Sequence, residues 1–363
     1  MSKQAGLGLI IAFTIIAYAS TWRAAFVYED VRAVLSNGEV QQQQPWHLHE
    51  LRSLSVLSFR LNHAVDGNNP RGYHAVNVAV HIVNTLLFYV IASALLETDW
   101  AVLLACAIFA LSPLQSESVA YITGRTELLA GCAVLGAVAL ALQPARWWHL
   151  LAIPGILLAG LLTKETALVG WFLVPLVYLF QYHRQLTRRA VSRPGLLAAC
   201  FVCGVMAGTA IWILRPLQHL DMGFIGSERG YLSYAAIQAS AFWRYVFELI
   251  VPYGFTIDHD YDLISHLLAY LALATLPLLA WIAWRIRRTD PLTAFGIVWI
   301  LIALAPRILV RIPEYLNEHQ MYVAMVGLSL IFGTWLDRVA SFDPLAFLNA
   351  PAGNDAFLDA DTR

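Results

Sequence analysis

The chain has little charge and little cysteine, and each shortage excludes a class of protein. Charged residues make up 13% of its 363 residues and hydrophobic residues 59%, a balance outside the range of soluble domains. The formal net charge of -1 gives no sign of a nucleic-acid partner. The cysteines all fall inside apolar runs, so we expect packing residues rather than disulfides or metal ligands. They are Cys106, Cys132, Cys200 and Cys203.

What the chain has instead is a series of apolar runs. Several approach the roughly 20 residues that a spanning helix needs, and the shorter ones reach that length if flanking polar residues enter the bundle. The runs are 5–20, 75–96, 101–111, 128–142, 150–162, 167–180, 196–214, 264–284, 292–305 and 322–336. The sequence therefore predicts an all-α, polytopic transmembrane helical bundle of about ten or eleven helices. No convincing cleavage site follows the first run, which favours a retained span over a signal peptide.

Two short loops that are dense in arginine predict the orientation. They are YHRQLTRRAVSRPG and WRIRRTD, and such loops stay in the cytoplasm. Counting helices back from them places both termini in the cytoplasm, as expected for a protein of the bacterial inner membrane. The same count places outside the segments 27–72, 112–127, 163–166, 215–262 and 306–320. The acidic C-terminal tail, 341–363, is expected to be disordered or bound to a partner in a membrane complex.

Charged residues of interest gather in the outer segments. In LTKETALV, Lys164 and Glu165 lie between two short apolar runs, where charges are costly unless they are paired or bind a ligand. In FVYEDVRAVLSN, the adjacent carboxylates of Glu29 and Asp30 follow the first span. One of them can be a general base while an arginine such as Arg32 holds the other, or both can bind a divalent metal. A solvated acidic helix end is the third alternative, and spacing alone leaves all three open.

A polar stripe crosses the apolar run at 75–96. Its residues recur at intervals of three and four and therefore share one helical face. They are His74, Asn77, His81 and Asn84. Two of them are histidines, but no acidic metal ligand lies on the stripe. We therefore expect a hydrogen-bonded seam between helices rather than a metal site.

Six motifs follow one another along the chain. They are FVYEDVRAVLSN, RSLSVLSFRLNHAVDGNNPRGYHAVNVAVHIVNTLLFY, SPLQSESVAYITGRTELLAG, LTKETALV, VPYGFTIDHDYD and LNEHQMYVAMVGLSL. In this order they resemble the membrane region of the TMTC-type O-mannosyltransferase-like proteins, which belong to the GT-C glycosyltransferases. The resemblance covers roughly residues 8–335 and implies a GT-C-like transmembrane domain over 1–340.

The resemblance also implies an activity. It implies transfer of a hexose such as mannose from a polyprenyl-phosphate sugar to a hydroxyl acceptor on the extracytoplasmic face of the membrane. The expected partners are membrane lipids, the lipid-linked sugar and an acceptor protein or glycan. Asp30 is then the expected catalytic base and Glu29 its support, and the same pair would hold any divalent metal.

Substrate-binding positions follow from the same resemblance. Arg125 matches the basic residue of a "GR" element, and Lys164 with Glu165 matches a "KE" element, both expected near the lipid phosphate. Asp258 matches the acidic position of a "VDY"-like segment. The remaining positions come from an "ER" element and its surroundings, namely Glu318, His319 and Tyr322.

Several features depart from the family pattern. Glu29 stands in place of an aspartate, Ser112 in place of a histidine and His319 in place of an arginine. An imidazole at that last position makes phosphate binding pH-dependent or removes it. The tetratricopeptide repeats of animal members do not occur in these residues. The alternative function is therefore a catalytically inactive homologue that serves as a structural subunit or scaffold of a larger membrane complex.

Overall fold

The computed structural model describes residues 2–48, 52–144, 146–186, 231–252, 266–309 and 316–341, and these ranges contain helices and turns but no strand. The helices are α1 (Lys3–Ala17), α2 (Ser53–Asp66), α3 (Pro70–Leu95), α4 (Asp99–Leu111), α5 (Ser116–Ala120), α6 (Arg125–Ala141), α7 (His149–Leu161), α8 (Gly170–Leu186), α9 (Tyr231–Ile250), α10 (His266–Ile286), α11 (Pro291–Leu309) and α12 (Met321–Ser341). Each predicted apolar run except 196–214, which lies outside the described residues, coincides with one of these helices. The all-α fold class is confirmed.

The chain is an integral membrane protein. Six helical segments in the described ranges are long and apolar enough to cross a membrane. A seventh span results if α4 and the segment Pro113–Ala120, bent by 47° relative to each other, are counted as one. With two shorter apolar helical segments, His149–Leu161 and Glu165–Gln181, the described ranges hold eight or nine apolar segments, against the ten or eleven helices predicted for the whole chain. The polytopic helical bundle expected from the apolar runs is therefore present.

Helix starts follow ordinary capping chemistry. The hydroxyl of Ser2 accepts the backbone N–H of Ala5 at the start of α1, and the hydroxyl of Thr98 accepts that of Ala101 at the start of α4. Asn69 caps α3 in the same way, with a proline at the first helical position. Each cap satisfies a backbone donor that has no partner inside the helix.

The polar stripe of α3 is the seam that the sequence predicts. The ring of His81 lies 3.0 Å from the carbonyl of Ala110 in α4 and 2.8 Å from the hydroxyl of Tyr322 in α12. Because a carbonyl only accepts, Nε2 of His81 carries the proton and Nδ1 accepts from the tyrosine. Asn84 donates to the carbonyl of Leu128 in α6 and to the Tyr322 hydroxyl, both at 2.9 Å. One face of α3 therefore joins three other helices.

Antiparallel packing gives the bundle two different ends. At one end, Nζ of Lys3 lies 3.0 Å from Oδ1 of Asp99. At the same end, NH2 of Arg338 lies 2.5 Å from Oδ1 of Asp290, close in sequence to the arginine-rich turn 285–288. The opposite end, called the polar end below, consists of residues 18–35, 52–58, 112–127, 160–169 and 316–320. Most predicted outer segments contribute to this polar end.

One predicted outer segment, 215–262, contains a long helix where the sequence suggested a loop. The 20 residues of α9 pack against α10 and α11, with Tyr245 buried and Phe247 exposed. Nε of Arg244 lies 2.5 Å from Oε1 of Glu248 one turn later. Because this ion pair neutralises two charges within the helix, the hydropathy of the sequence understates how readily the segment packs in a helical bundle.

A close contact between α6 and α12 gives a test of the packing. A Cβ atom added to Gly131 would lie 2.8 Å from the ring of Tyr322, which the seam holds in place. We expect Gly131→Ala to lower the free energy of unfolding by about 1–3 kcal/mol through overpacking. Gly136→Ala on the same helix, where an added Cβ meets nothing within 4 Å, is the matched control. Thermal unfolding in detergent measures both, and equal losses would contradict the packing.

Candidate functional site

The turn after α1 buries one carboxylate and exposes the other. Asp30 is only 1% exposed. Its Oδ1 accepts the backbone N–H of Thr123 at 2.8 Å, and its Oδ2 accepts that of Val27 at 3.3 Å. The Thr123 amide lies in the first turn of a helical segment, where backbone donors lack helical partners. Asp30 therefore joins the first outer turn to the start of α6.

The environment of Asp30 suits a group that exchanges a proton. Burial raises the pKa of the Asp30 carboxyl above its usual range, and hydrogen bonds from Thr123 and Val27 oppose this increase. The Thr123 side chain and the Ile122 backbone also hydrogen-bond this carboxyl, so its position is set from both sides of the turn. An ordered carboxylate with a raised pKa has the properties required of a general base.

Glu29, unlike Asp30, has an exposed side chain. Its side chain is 56% exposed and lies 3.4 Å from Arg32, while its backbone N–H donates to the Tyr121 hydroxyl at 2.7 Å. The preceding residue, Tyr28, has φ +45°, an uncommon backbone conformation for a residue other than glycine. Strain of this kind persists only where the surroundings fix it, and it clusters at functional sites.

The structure bears on the predicted metal alternative in one respect. Glu29 and Asp30 do not share an environment, since one is exposed and the other buried. Across the described ranges, no group of three histidine, cysteine, aspartate or glutamate residues is arranged to hold a metal ion. A metal at this pair would therefore need further ligands from elsewhere.

Arg125 lies inside the protein rather than at a surface that a phosphate can reach. It is fully buried, and its Nε donates to Oδ1 of Asn77 at 2.8 Å. One terminal nitrogen donates to Oδ1 of Asn62 and to the carbonyl of Tyr73, and the other contacts Ser58. Its donors are thus directed at protein oxygens, and the guanidinium holds α2, α3 and α6 together.

Asn77 extends this network to the catalytic candidate. Its side-chain amide lies within hydrogen-bond distance of the carbonyls of Val119, Tyr121 and Ile122, with the shortest distance, 2.9 Å, to Tyr121. Thr123 directly follows Ile122 in the chain, and its backbone N–H donates to Asp30. Arg125 and Asn77 are therefore positioning residues for the Asp30 carboxylate.

The turn between α7 and α8 carries two ion pairs side by side. Nζ of Lys164 lies 2.9 Å from Oε2 of Glu127, a side chain that is 2% exposed. Glu165, the next residue, accepts two hydrogen bonds from Arg52, at 2.5 Å from NH2 and 3.2 Å from Nε. Glu127 lies one helical turn beyond Thr123, so these charges and Asp30 surround the start of α6.

The "ER"-like element forms a separate carboxylate cluster. Nδ1 of His319 donates to Oε1 of Glu117 at 2.7 Å, and its backbone N–H donates to Oε2 at 2.8 Å. Glu318 is buried beside this pair, whereas Tyr322 lies deeper, in the α3 seam. Because Glu117 accepts both hydrogen bonds from His319, that imidazole is already committed to a carboxylate. Asp258 lies outside the described residues.

The structure thus brings together part of the predicted set. Asp30, Glu29, Arg125, Lys164 and Glu165 all surround the start of α6. Glu318 and His319 are joined to it through α5, and Tyr322 belongs to the core. Sequence patterns predict no role for Arg52 or Thr123, because their partners lie 113 and 93 residues away and no local pattern marks them.

Comparisons with known proteins confirm the resemblance. The chain is 37% identical over 190 residues to "Protein O-mannosyl-transferase Tmtc1" and 35% identical over 218 residues to "Protein O-mannosyl-transferase Tmtc2", both of Drosophila melanogaster. It is 25% identical over 320 residues to "Protein O-mannosyl-transferase F38B6.6" of Caenorhabditis elegans. The alignments cover 47%, 53% and 80% of this chain but only 22%, 23% and 42% of those relatives. No family model and no solved structure matches the chain.

The position of Arg125 leads to a test of its role. We expect Arg125→Lys to lower the free energy of unfolding by about 2–4 kcal/mol, because lysine leaves several buried oxygens without donors. Arg71→Lys, at an exposed position in the first turn of α3, is the matched control. Thermal unfolding in detergent measures the difference. If Arg125 only bound phosphate and had no part in the fold, the Arg125→Lys and Arg71→Lys variants would be equally stable.

Proposed function

We propose that this chain is a membrane glycosyltransferase that transfers a hexose such as mannose from a polyprenyl-phosphate sugar to a hydroxyl of an acceptor protein. The observation that carries the proposal is the buried Asp30 carboxylate, fixed by two backbone amides at the same end of the bundle as Lys164. The similarity to proteins named O-mannosyl-transferases supports the same chemistry.

Asp30 acts as the general base in the proposed reaction. It takes the proton of the acceptor hydroxyl as that oxygen attacks the anomeric carbon of the hexose. The bond between the anomeric carbon and the phosphate oxygen breaks, and the lipid phosphate leaves with the electron pair. Attack and departure occur on opposite faces of the sugar, so the anomeric configuration inverts.

Lys164 supplies positive charge where the leaving group develops negative charge. Its side chain is 13% exposed, so it is accessible but only partly solvated. A fixed cation in such a setting stabilises the departing phosphate more than it would in water. Glu29, exposed beside Asp30, is placed to accept a hydrogen bond from the incoming acceptor.

We place this reaction on the extracytoplasmic side of the membrane. The arginine-rich turn 285–288 lies at the end of the bundle opposite to Asp30, and arginine-rich turns stay in the cytoplasm. The start of α1 and the end of α12 lie at that same end, which agrees with cytoplasmic termini. The bacterial inner membrane stays a prediction from the sequence.

Replacing the base should remove transfer without removing the fold. We expect Asp30→Asn to reduce kcat on the order of 10²–10⁴-fold, the usual contribution of a general base. The asparagine side-chain oxygen still accepts the Thr123 amide, so the bundle should stay intact. The measurement follows hexose transfer from a polyprenyl-phosphate mannose to an acceptor peptide, with thermal unfolding as the fold control. Full activity in this variant would contradict the assignment, and no activity in the wild type would favour the scaffold.

The raised pKa of Asp30 predicts the acid side of the pH profile. The rate should fall as pH decreases through this raised pKa, at a higher pH than for an exposed aspartate, because only the carboxylate accepts the proton. A raised carboxyl pKa favours the protonated folded state, so this loss of rate is not acid unfolding through Asp30. Rates of the wild type and Glu29→Gln across the acid range provide the test. The acid limb should persist in the variant, and its disappearance would identify Glu29 as the base.

A further inference from the structure

We propose that Arg52 binds the phosphate of the lipid-linked donor together with Lys164. This inference rests on the proposed function and names a substrate-binding residue that neither the motifs nor the relatives assign. The ligand class is a phosphate ester on a long apolar chain, approached from the polar end of the bundle.

Two hydrogen bonds from the start of α2 to backbone carbonyls place Arg52 beside the Lys164 turn. The backbone N–H of Leu54 donates to the carbonyl of Leu162 at 3.0 Å, and the Ser55 hydroxyl donates to the carbonyl of Thr163 at 2.9 Å. These bonds join the start of α2 to the residues directly before Lys164. The position of Arg52 relative to that turn is therefore fixed by the backbone as well as by its ion pair.

The geometry of the Arg52 side chain suits the binding of a phosphate group. Its Nε and NH2 contact the two oxygens of the Glu165 carboxylate, the forked arrangement that a guanidinium also makes with two phosphate oxygens. The side chain is 48% exposed, whereas Arg125 is fully buried. A phosphate can therefore reach Arg52 and replace the carboxylate, while Arg125 has its donors committed to the fold.

The charges around Arg52 allow this exchange. Two cations, Arg52 and Lys164, face two carboxylates, Glu165 and Glu127, and the charge of Arg52 also interacts with Glu29. A bound phosphate would take the place of Glu165 on Arg52 and share Lys164 with Glu127.

The backbone of Arg52 supports a functional reason for its placement. Its φ of +62° and ψ of +19° lie in the left-handed region, which residues other than glycine rarely adopt. A surface ion pair contributes little stability and does not by itself account for a strained backbone. Holding the guanidinium over the Lys164 turn accounts for it.

The experiment measures binding of farnesyl phosphate, with uncharged farnesol as the comparison ligand, to the full chain in detergent. We expect Arg52→Gln to weaken farnesyl phosphate binding by roughly tenfold or more and to leave farnesol binding unchanged. Glu165→Gln should tighten farnesyl phosphate binding, because it removes the competing carboxylate. A role for Arg52 in the ion pair alone would instead shift both variants in the same direction.

Controls separate this inference from the proposed function. Arg71→Gln, at an exposed arginine in the first turn of α3, should bind both ligands as the wild type does. Arg52→Gly removes the guanidinium and relieves the backbone, so it replaces Arg52→Gln if that variant misfolds. Wild-type affinity for farnesyl phosphate in a folded Arg52 variant, or an equal loss of farnesol, would overturn the inference alone. A wild type that binds no farnesyl phosphate would overturn the proposed function as well.

Discussion

The side-chain amide of Asn77 and the guanidinium of Arg125 form the contact on which the polar end depends. The Asn77 amide donates to backbone carbonyls in the bent segment between α4 and α6, where the chain leaves regular helical geometry, and its Oδ1 accepts from Nε of Arg125. Inside a membrane protein, unpaired backbone groups are costly, so irregular backbone persists only where other groups complete its hydrogen bonds. The polar face of α3 provides these groups and thereby permits a broken helix near the site.

The broken helix has a direct consequence for chemistry. Because the chain turns at residues 121–124 and begins a new helix, a backbone amide at Thr123 is left without a helical partner and binds Asp30. One helical turn later, Glu127 faces the α7–α8 turn and pairs with Lys164. A single helix start thus places the proposed base and a cation for the leaving group at one end of the bundle.

Arginine has two different roles at this end, and burial separates them. Arg125 is enclosed by oxygens and aromatic rings from α2 and α3, so its charge serves the architecture. The side chains of Arg52 and Lys164 are partly exposed and pair with Glu165 and Glu127, and in our proposal a phosphate displaces Glu165 from Arg52. His319, where the family pattern has an arginine, pairs with Glu117, and our proposal accordingly assigns the phosphate to Arg52 and Lys164.

The sequence by itself determined the helical bundle, most helix positions, the seam on α3 and the family resemblance. These features depend on apolar run length, on three- and four-residue spacing and on contiguous motifs, which are local properties of the chain. Only the tertiary structure decided that Arg125 is buried while Arg52 is accessible, and that Asp30 points inward while Glu29 points outward. Such differences arise from contacts between residues 48 to 113 positions apart, and a one-dimensional pattern contains no record of those contacts.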